Sequence, residues 1–352
     1  MRALQLTEWK QQPQIREVAE PEPGPGQVVV RIAGAGACHS DLHLMHDFDA
    51  GSVPWSPPFT LGHENAGWVH ALGAGVTGFE VGEPVAVYGP WGCGHCVRCR
   101  AGAENYCDNA GGIPYAGGGL GTDGGMAEYL LVPSARHLVK LGEVDPVEAA
   151  PLTDAALTPY HAIKRSLPLL VPGSTTVVIG AGGLGHMAIQ LLGALCPTKI
   201  VVVDQRDEAL FLAAELGADH TVKAGPDAVR EITEISGGRG TDFVLDLVGA
   251  DSTIALGAAV ARSNSHVTVV GIAGGTYTFS FFSQRYAVAL STTYWGTVTE
   301  LAEVIALAEA GRVRPHIELF PLDQANEAYE RMRNGTLNGR AVIVPGTGSS
   351  RS

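Results

Sequence analysis

The chain has 352 residues, room for two domains with buried cores, and 45% of them are hydrophobic against 17% charged, which excludes an intrinsically disordered protein. A net charge of −13 with no basic face argues against a nucleic-acid binder, because phosphate contact needs clustered Lys and Arg. The longest apolar runs, such as Thr175–Ile179 and Val267–Val270, are strand-length and far too short to span a bilayer.

From residue 1 to about 150 the chain is rich in Gly, Pro and short β-type runs: Gln27–Ile32, Gly67–Leu72, Pro84–Tyr88 and Met126–Val132. Turns containing Gly or Pro separate them, the pattern of an antiparallel, barrel-like β domain. The glycine-dense stretch from Gly111 to Gly125 reads as a mobile loop.

Within this region Cys93, Cys96, Cys99 and Cys107 have gaps of two, two and seven residues. A tetrahedral ion bound by four thiolates needs the chain to turn back between ligands, and short gaps with a Gly inside allow it. The alternatives are a pair of disulfides or an iron–sulfur cluster. Disulfides need an oxidising compartment, and the start Met-Arg-Ala-Leu-Gln-Leu-Thr-Glu has no apolar signal run. The spacing is not one of the ferredoxin patterns. A structural zinc and a reduced, cytoplasmic setting are expected. Of the six cysteines, Cys38 and Cys196 remain.

From Thr175 onward short continuous apolar strands alternate with amphipathic helices: strand Thr176–Ile179, helix from Gly183, strand Ile200–Val203, helix from Asp207, strand Phe243–Leu247, helix from Ser252, strand Val267–Val270. Strands buried on both faces read as solid apolar runs, so a doubly wound parallel sheet is expected here. After about residue 295 come helices near Thr299–Ala310 and Asp323–Asn334, then a strand Ala341–Val344 expected to rejoin the first domain. The last residues, from Gly346, read as an unpacked tail.

The first of these strands runs into Gly180-Ala-Gly182-Gly-Leu-Gly185. A lone glycine triplet is a weak signal, but here a strand precedes it, a helix follows, and the next strand ends at Asp204. Gly180 permits the tight turn, Gly182 lets backbone approach a pyrophosphate, and Gly185 lets helix and strand pack closely. Asp204 can accept hydrogen bonds from both ribose hydroxyls and would repel a 2′-phosphate, so NAD is expected over NADP. Arg206 is discordant, since an Arg there could contact a 2′-phosphate.

Three further places carry ligand-type residues: Cys38-His39-Ser40-Asp41-Leu42-His43, Gly62-His63-Glu64, and Asp154 in Pro-Leu-Thr-Asp-Ala-Ala-Leu-Thr-Pro-Tyr. A catalytic zinc uses three protein ligands and keeps a fourth position open. The positions lie far apart, and spacing alone leaves Cys38 as a buried small hydrophobe, His63 as a core histidine and Asp154 as a helix cap.

The pattern Gly62-His63-Glu64, Gly67, Gly73, Val76, with the thiolate lobe and the Gly180 turn in order, resembles the zinc-dependent medium-chain alcohol dehydrogenase family. Segments Tyr88–Gly94, Pro151–His161 and Tyr294–Gly296 are similar to its bacterial NAD-dependent secondary-alcohol dehydrogenases and phenylacetaldehyde reductases, and the likeness covers nearly all of residues 1–346. The resemblance implies an α/β protein: a GroES-like β-rich catalytic domain (1–155 and 296–352, zinc lobe near 91–110) and a Rossmann coenzyme domain (156–295).

By this resemblance Cys38, His63 and Asp154 bind a catalytic zinc, giving two zinc ions per subunit with the four-cysteine one. Many family members carry Cys at the third ligand position; Asp154 keeps the charge but is a harder ligand. Glu64 is then a neighbouring carboxylate able to approach the ion, Ser40 a hydroxyl placed to receive the alcohol proton, and His43 either a relay or a rim residue. The expected cofactor set comprises Gly180, Gly182, Gly183, Leu184, Gly185 and Asp204, with Val248, Gly271 and Ile272. Thr158 would brace the nicotinamide and Arg340 would meet the pyrophosphate. Trp55, Leu120, Tyr294 and Trp295 are candidates to line an apolar substrate pocket favouring hydrophobic secondary alcohols, aryl ketones and aldehydes. A homodimer or homotetramer is expected, with no nucleic-acid or membrane partner. The rivals are a polyol or threonine dehydrogenase on the same fold, a zinc-free quinone reductase, and a non-catalytic zinc protein that binds dinucleotide.

Overall fold

The structure, a computed structural model, describes residues 1–346, so the C-terminal tail lies almost wholly outside the described residues. The chain divides into two compact units. One comprises Met1–Leu157, Trp295–Ala310 and the chain from Pro315; the other comprises Thr158–Tyr294 with Gly311–Arg314.

In the first unit the long strands Val28–Gly36 and Glu64–Leu72 pair antiparallel, with register shifts after Val29 and Ile32 that bend the ladder. Pro84–Val87 and Leu138–Lys140 extend the sheet on one side. On the other, Arg340–Val344 pairs antiparallel with Val28–Gly36, so the last strand does rejoin the first domain. Ile317–Pro321 then pairs parallel with it, the one departure from the antiparallel expectation among these pairs. Strand residues such as Val28, Val29, Val30, Val85 and Ala341 are wholly buried. Each large aliphatic side chain so removed from water contributes roughly 1.5–3 kcal/mol.

The glycine-dense stretch differs from its expectation. Gly117–Gly118 and Gly121–Thr122 form a small two-stranded sheet, and Gly124 and Gly125 donate to the carbonyls of Thr60 and Gly62. A Cβ on Gly119 would stand 2.7 Å from the Gly62 backbone, and one on Gly124 would stand 2.3 Å from the Gly62 carbonyl oxygen. Here glycine permits backbone to pack on backbone, and the segment from Gly117 to Leu120 is buried rather than loose.

The second unit is a six-stranded sheet, parallel throughout: His220–Lys223, Lys199–Asp204, Thr175–Ile179, Thr241–Asp246, Ala261–Val269, Ala289–Thr292 in spatial order. This is the Rossmann order, reversing direction beside Thr175–Ile179. That strand is buried at every residue and sits among Val201, Val203, Val244 and Val267, which accounts for its solid apolar run. His220–Lys223 escapes sequence detection because three of its four residues are exposed and polar side chains dominate it. No helix among the described residues is long and apolar enough to cross a membrane.

Candidate metal and coenzyme sites

The four lobe cysteines converge, their sulfurs lying within 4.8 Å of one another. Cys93 and Cys99 sulfurs are 3.9 Å apart, against about 3.8 Å for two thiolates on one tetrahedral zinc. Backbone N–H groups of Cys93, Cys96 and Cys99 point at neighbouring sulfurs, each at 3.4 Å, and Asn109 Nδ2 reaches Cys93 Sγ at 3.3 Å. Donors aimed at sulfur suit thiolates. The backbone N–H of His95 leads the groups that hold the Cys93 thiol down to about 5. None of the six cysteines is in a disulfide. Gly92 has no room for a side chain, since a Cβ would stand 2.6 Å from Cys99 Sγ.

The sequence offered no reason to single out the clamp behind this lobe. Glu104 accepts the Gly92 N–H at 2.6 Å, Arg136 Nε at 2.7 Å, and faces His137 Nε2 at 3.1 Å. Burial pushes the Glu104 carboxyl up, but the bonds from His137 and Arg136 outweigh it and bring it down to about 2.

The second cluster joins Cys38, His63, Glu64 and Asp154, all buried, with donor atoms within 4.8 Å of one another. Cys38 follows the strand Val28–Gly36 and opens the helix His39–His46; His63 precedes Glu64–Leu72; Asp154 follows the 3₁₀ turn Ala150–Thr153. Gly62 sets the His63 approach with φ +98°, and a Cβ there would strike Met126 N at 2.7 Å. Asp154 Oδ2 lies 3.9 Å from Cys38 Sγ and 3.6 Å from His63 Nε2. A thiolate, an imidazole and a carboxylate at these separations suit a zinc ion that retains one open position.

Asp41 stands behind this cluster. Its Oδ1 lies 3.2 Å from His63 Nδ1, although the N–H is not aimed squarely at it. Its Oδ2 accepts the Cys38 N–H at 3.0 Å and the Tyr329 hydroxyl at 2.9 Å. A carboxylate on Nδ1 turns Nε2 toward a metal. Burial opposes charge on His63, yet Asp41, followed by Asp154, carries its pKa well above the usual value. Burial likewise raises the Cys38 thiol, but Arg340 and His63 reverse the balance and lower it.

Glu64 belongs to the cluster and is held by Arg340, whose Nε donates to Oε2 at 2.9 Å and whose Nη2 bonds to Oε1. Arg340 Nη2 also lies 3.9 Å from Asp154 Oδ2. Expected to meet a pyrophosphate, this arginine is buried and turned onto a carboxylate of its own unit. Ser40 Oγ sits 3.4 Å from His63 Nε2, whereas His43 Nδ1 meets Asp47 one helical turn on. Trp55 packs at 5.7 Å against Trp9 and edge-on at 5.5 Å against Phe59, beside Gly121, and Leu120 is buried. Trp295 is buried with its ring edge-on to His63 at 5.5 Å, while Tyr294 is exposed.

In the second unit, Gly180 has φ +91° and donates to Val203 O at 2.8 Å; a Cβ would meet Val248 Cγ2 at 2.8 Å. Gly185 opens the helix Gly185–Leu195 against the Gly180 carbonyl, where a Cβ would sit 2.1 Å from oxygen. Gly182 faces open space, as a phosphate approach requires, with Gly183 and Leu184 leading to the helix N-terminus. Asp204 accepts Ala181 N–H at 2.7 Å and Arg206 N–H at 2.8 Å, so its carboxylate stands beside the glycine turn. Gly271 lies against the Val248 backbone, while Ile272 is exposed. Thr158 is buried at the start of the helix Leu157–Ser166.

A Rossmann unit with this turn, and a β-rich unit carrying a four-cysteine cluster and a buried cluster of Cys38, His63, Glu64 and Asp154, fit a nucleotide-linked dehydrogenase of the metal-using kind. Residues 24–143 match the alcohol dehydrogenase GroES-like domain and residues 183–310 match the zinc-binding dehydrogenase domain. An NAD-dependent alcohol dehydrogenase of Sulfurisphaera tokodaii is 37% identical over 98% of this chain and all of that one. A D-arabinose 1-dehydrogenase (NADP(+)) of Saccharolobus solfataricus is 36% identical over 98% of this chain and 97% of its own. The structure of acetophenone reductase from Geotrichum candidum, in complex with NAD, superposes with a TM-score of 0.85 at 31% identity, covering 98% and 97% of the two chains. The chain belongs to the zinc-type alcohol dehydrogenase family.

Proposed function

We propose that this protein interconverts alcohols, preferably hydrophobic or aryl secondary ones, and the corresponding ketones or aldehydes with NAD, using one zinc at Cys38, His63 and Asp154 and a second in the Cys93, Cys96, Cys99 and Cys107 lobe. The observation that carries this reading is the convergence of a thiolate, an imidazole and a carboxylate in one buried cluster. When bound, zinc supplies Lewis acidity toward the substrate oxygen and NAD accepts the hydride.

The chain's own residues supply the rest. Asp41 orients His63, and Arg340 offsets the charge of Glu64 so that a buried carboxylate can stand beside the ligands. Ser40, beside His63 Nε2, is placed to receive the alcohol proton, and His43, oriented by Asp47, to hand it to water. Asp204 at the glycine turn supports NAD over NADP, with Thr158 bracing the nicotinamide. The aromatic group of Trp55, Trp9 and Phe59 supports a preference for apolar substrates over polyols, and Leu120, Tyr294 and Trp295 remain candidates for substrate contact. Exposed Phe279, Phe281, Phe282 and Tyr286 support self-association into a dimer or tetramer, and we place the protein in the cytoplasm.

The test is NADH oxidation with acetophenone before and after chelation, with NADPH as a comparison coenzyme and, in the oxidative direction, NAD+ or NADP+ reduction by 1-phenylethanol against arabinose. Activity with acetophenone and NADH that chelator abolishes and zinc restores supports the reading. Preference for arabinose would move it to a sugar dehydrogenase, as in the S. solfataricus relative.

A further inference from the structure

Trp295 stands at a junction that substrate lining alone does not explain. It is a non-glycine residue in the left-handed region, φ +50°, a conformation that persists only where surroundings enforce it. Three contacts enforce it. The indole Nε1 donates to Thr153 O at 3.1 Å, inside the protein. The ring stands edge-on to His63, 5.5 Å between centroids and 89° between planes. The next residue is pinned too, since Tyr88 donates its hydroxyl to Gly296 O at 2.6 Å. Room for the indole comes from Gly89, where a Cβ would stand 2.7 Å from the ring.

Two of these contacts bear on the donor cluster. Thr153 immediately precedes Asp154, so fixing its carbonyl fixes the peptide from which the carboxylate projects. His63 offers Nε2 to the cluster, 3.6 Å from Asp154 Oδ2, and its ring plane decides where that lone pair points. One buried side chain therefore spans two ligands that approach from different segments.

We propose that Trp295 is a positioning residue that locks the His63 ring and the Asp154 peptide in mutual register for the metal, beyond any role as a wall against substrate. The inference rests on the reading that Cys38, His63 and Asp154 hold a zinc. An indole is suited to the task because one rigid group provides both an aromatic edge contact and an N–H donor.

The experiment follows zinc release from the holoenzyme to a colorimetric chelator, together with the visible spectrum after cobalt replaces the catalytic zinc. W295F keeps an aromatic ring near His63 but removes the donor to Thr153. It is expected to release one zinc on the order of 10-fold faster, with shifted cobalt bands, while the cysteine-lobe zinc leaves at the wild-type rate. G89A, which crowds the ring without altering it, is expected to move both readouts the same way, and carries the test should W295F not fold. Unchanged release and unchanged bands in a folded variant, with only KM for alcohol altered, would overturn the proposal and leave Trp295 a pocket wall. A wild-type protein holding a single zinc, in the cysteine lobe alone, would instead overturn the metal assignment on which it rests.

Discussion

Arg340 and Glu64 form a buried two-point ion pair that ties the last strand, Arg340–Val344, to the first residue of Glu64–Leu72. The pair sits against the Cys38, His63 and Asp154 donors, so the same contact closes the β-rich unit and sets the charge of the cluster. Burial drives the Glu64 carboxyl well above its ordinary pKa, and Arg340 is the largest influence holding it down.

Breaking the pair from one side leaves a buried charge with no partner. R340M should therefore lose about 3–5 kcal/mol of unfolding free energy in urea, with E64L/R340M recovering part of it. A loss below about 1 kcal/mol would mean that Glu64 finds another partner or takes up a proton without strain.

Asp41 carries three contacts at once: His63 Nδ1, the Cys38 N–H and the Tyr329 hydroxyl. D41N should weaken zinc retention at the open site by roughly 10–100-fold while the cysteine lobe keeps its metal. Y329F removes one donor from a buried carboxylate and should cost about 1–2 kcal/mol in denaturant unfolding. Equal metal retention in D41N and wild type would exclude Asp41 as the group that orients His63.

Glu104 gives the pH dependence. Its folded-state pKa of about 2 lies below the ordinary 4.5, because the His137 and Arg136 bonds outweigh burial. A depressed carboxyl contributes stability that is fully present above the ordinary value and lost as pH falls toward the folded value. Stability should therefore decline between about pH 4.5 and pH 2 in the wild type. E104Q should show a shallower decline there and sit about 2 kcal/mol lower at pH 7, by thermal or urea unfolding.

Asp204 is the coenzyme test. Its carboxylate occupies the end of Lys199–Asp204 beside the glycine turn, with Arg206 Nε 3.9 Å away. D204S removes the repulsion toward a 2′-phosphate and leaves Arg206 to pair with it. The ratio of kcat/KM for NADPH over NADH should rise by at least about 10-fold, equivalent to about 1.4 kcal/mol. An unchanged ratio would mean that Asp204 does not read the ribose.

Features carried by contiguous residues are legible in the chain itself. The short-gap cysteines declare a four-thiolate site, and the Gly180 turn between an apolar strand and a helix declares a nucleotide site, because in each case a few consecutive residues make the geometry. Resemblance named Cys38, His63 and Asp154, yet spacing alone left them as core residues. Cys38 and Asp154 are 116 positions apart, and Glu64 and Arg340 are 276 apart. Such groups meet only where strand pairing and burial bring them, and the partners that set their orientation and charge follow the same rule. The contacts of Asp41, Tyr329, Arg340 and the indole of Trp295 come from the tertiary fold, since a hydrogen bond or ion pair across the core leaves no period in the chain.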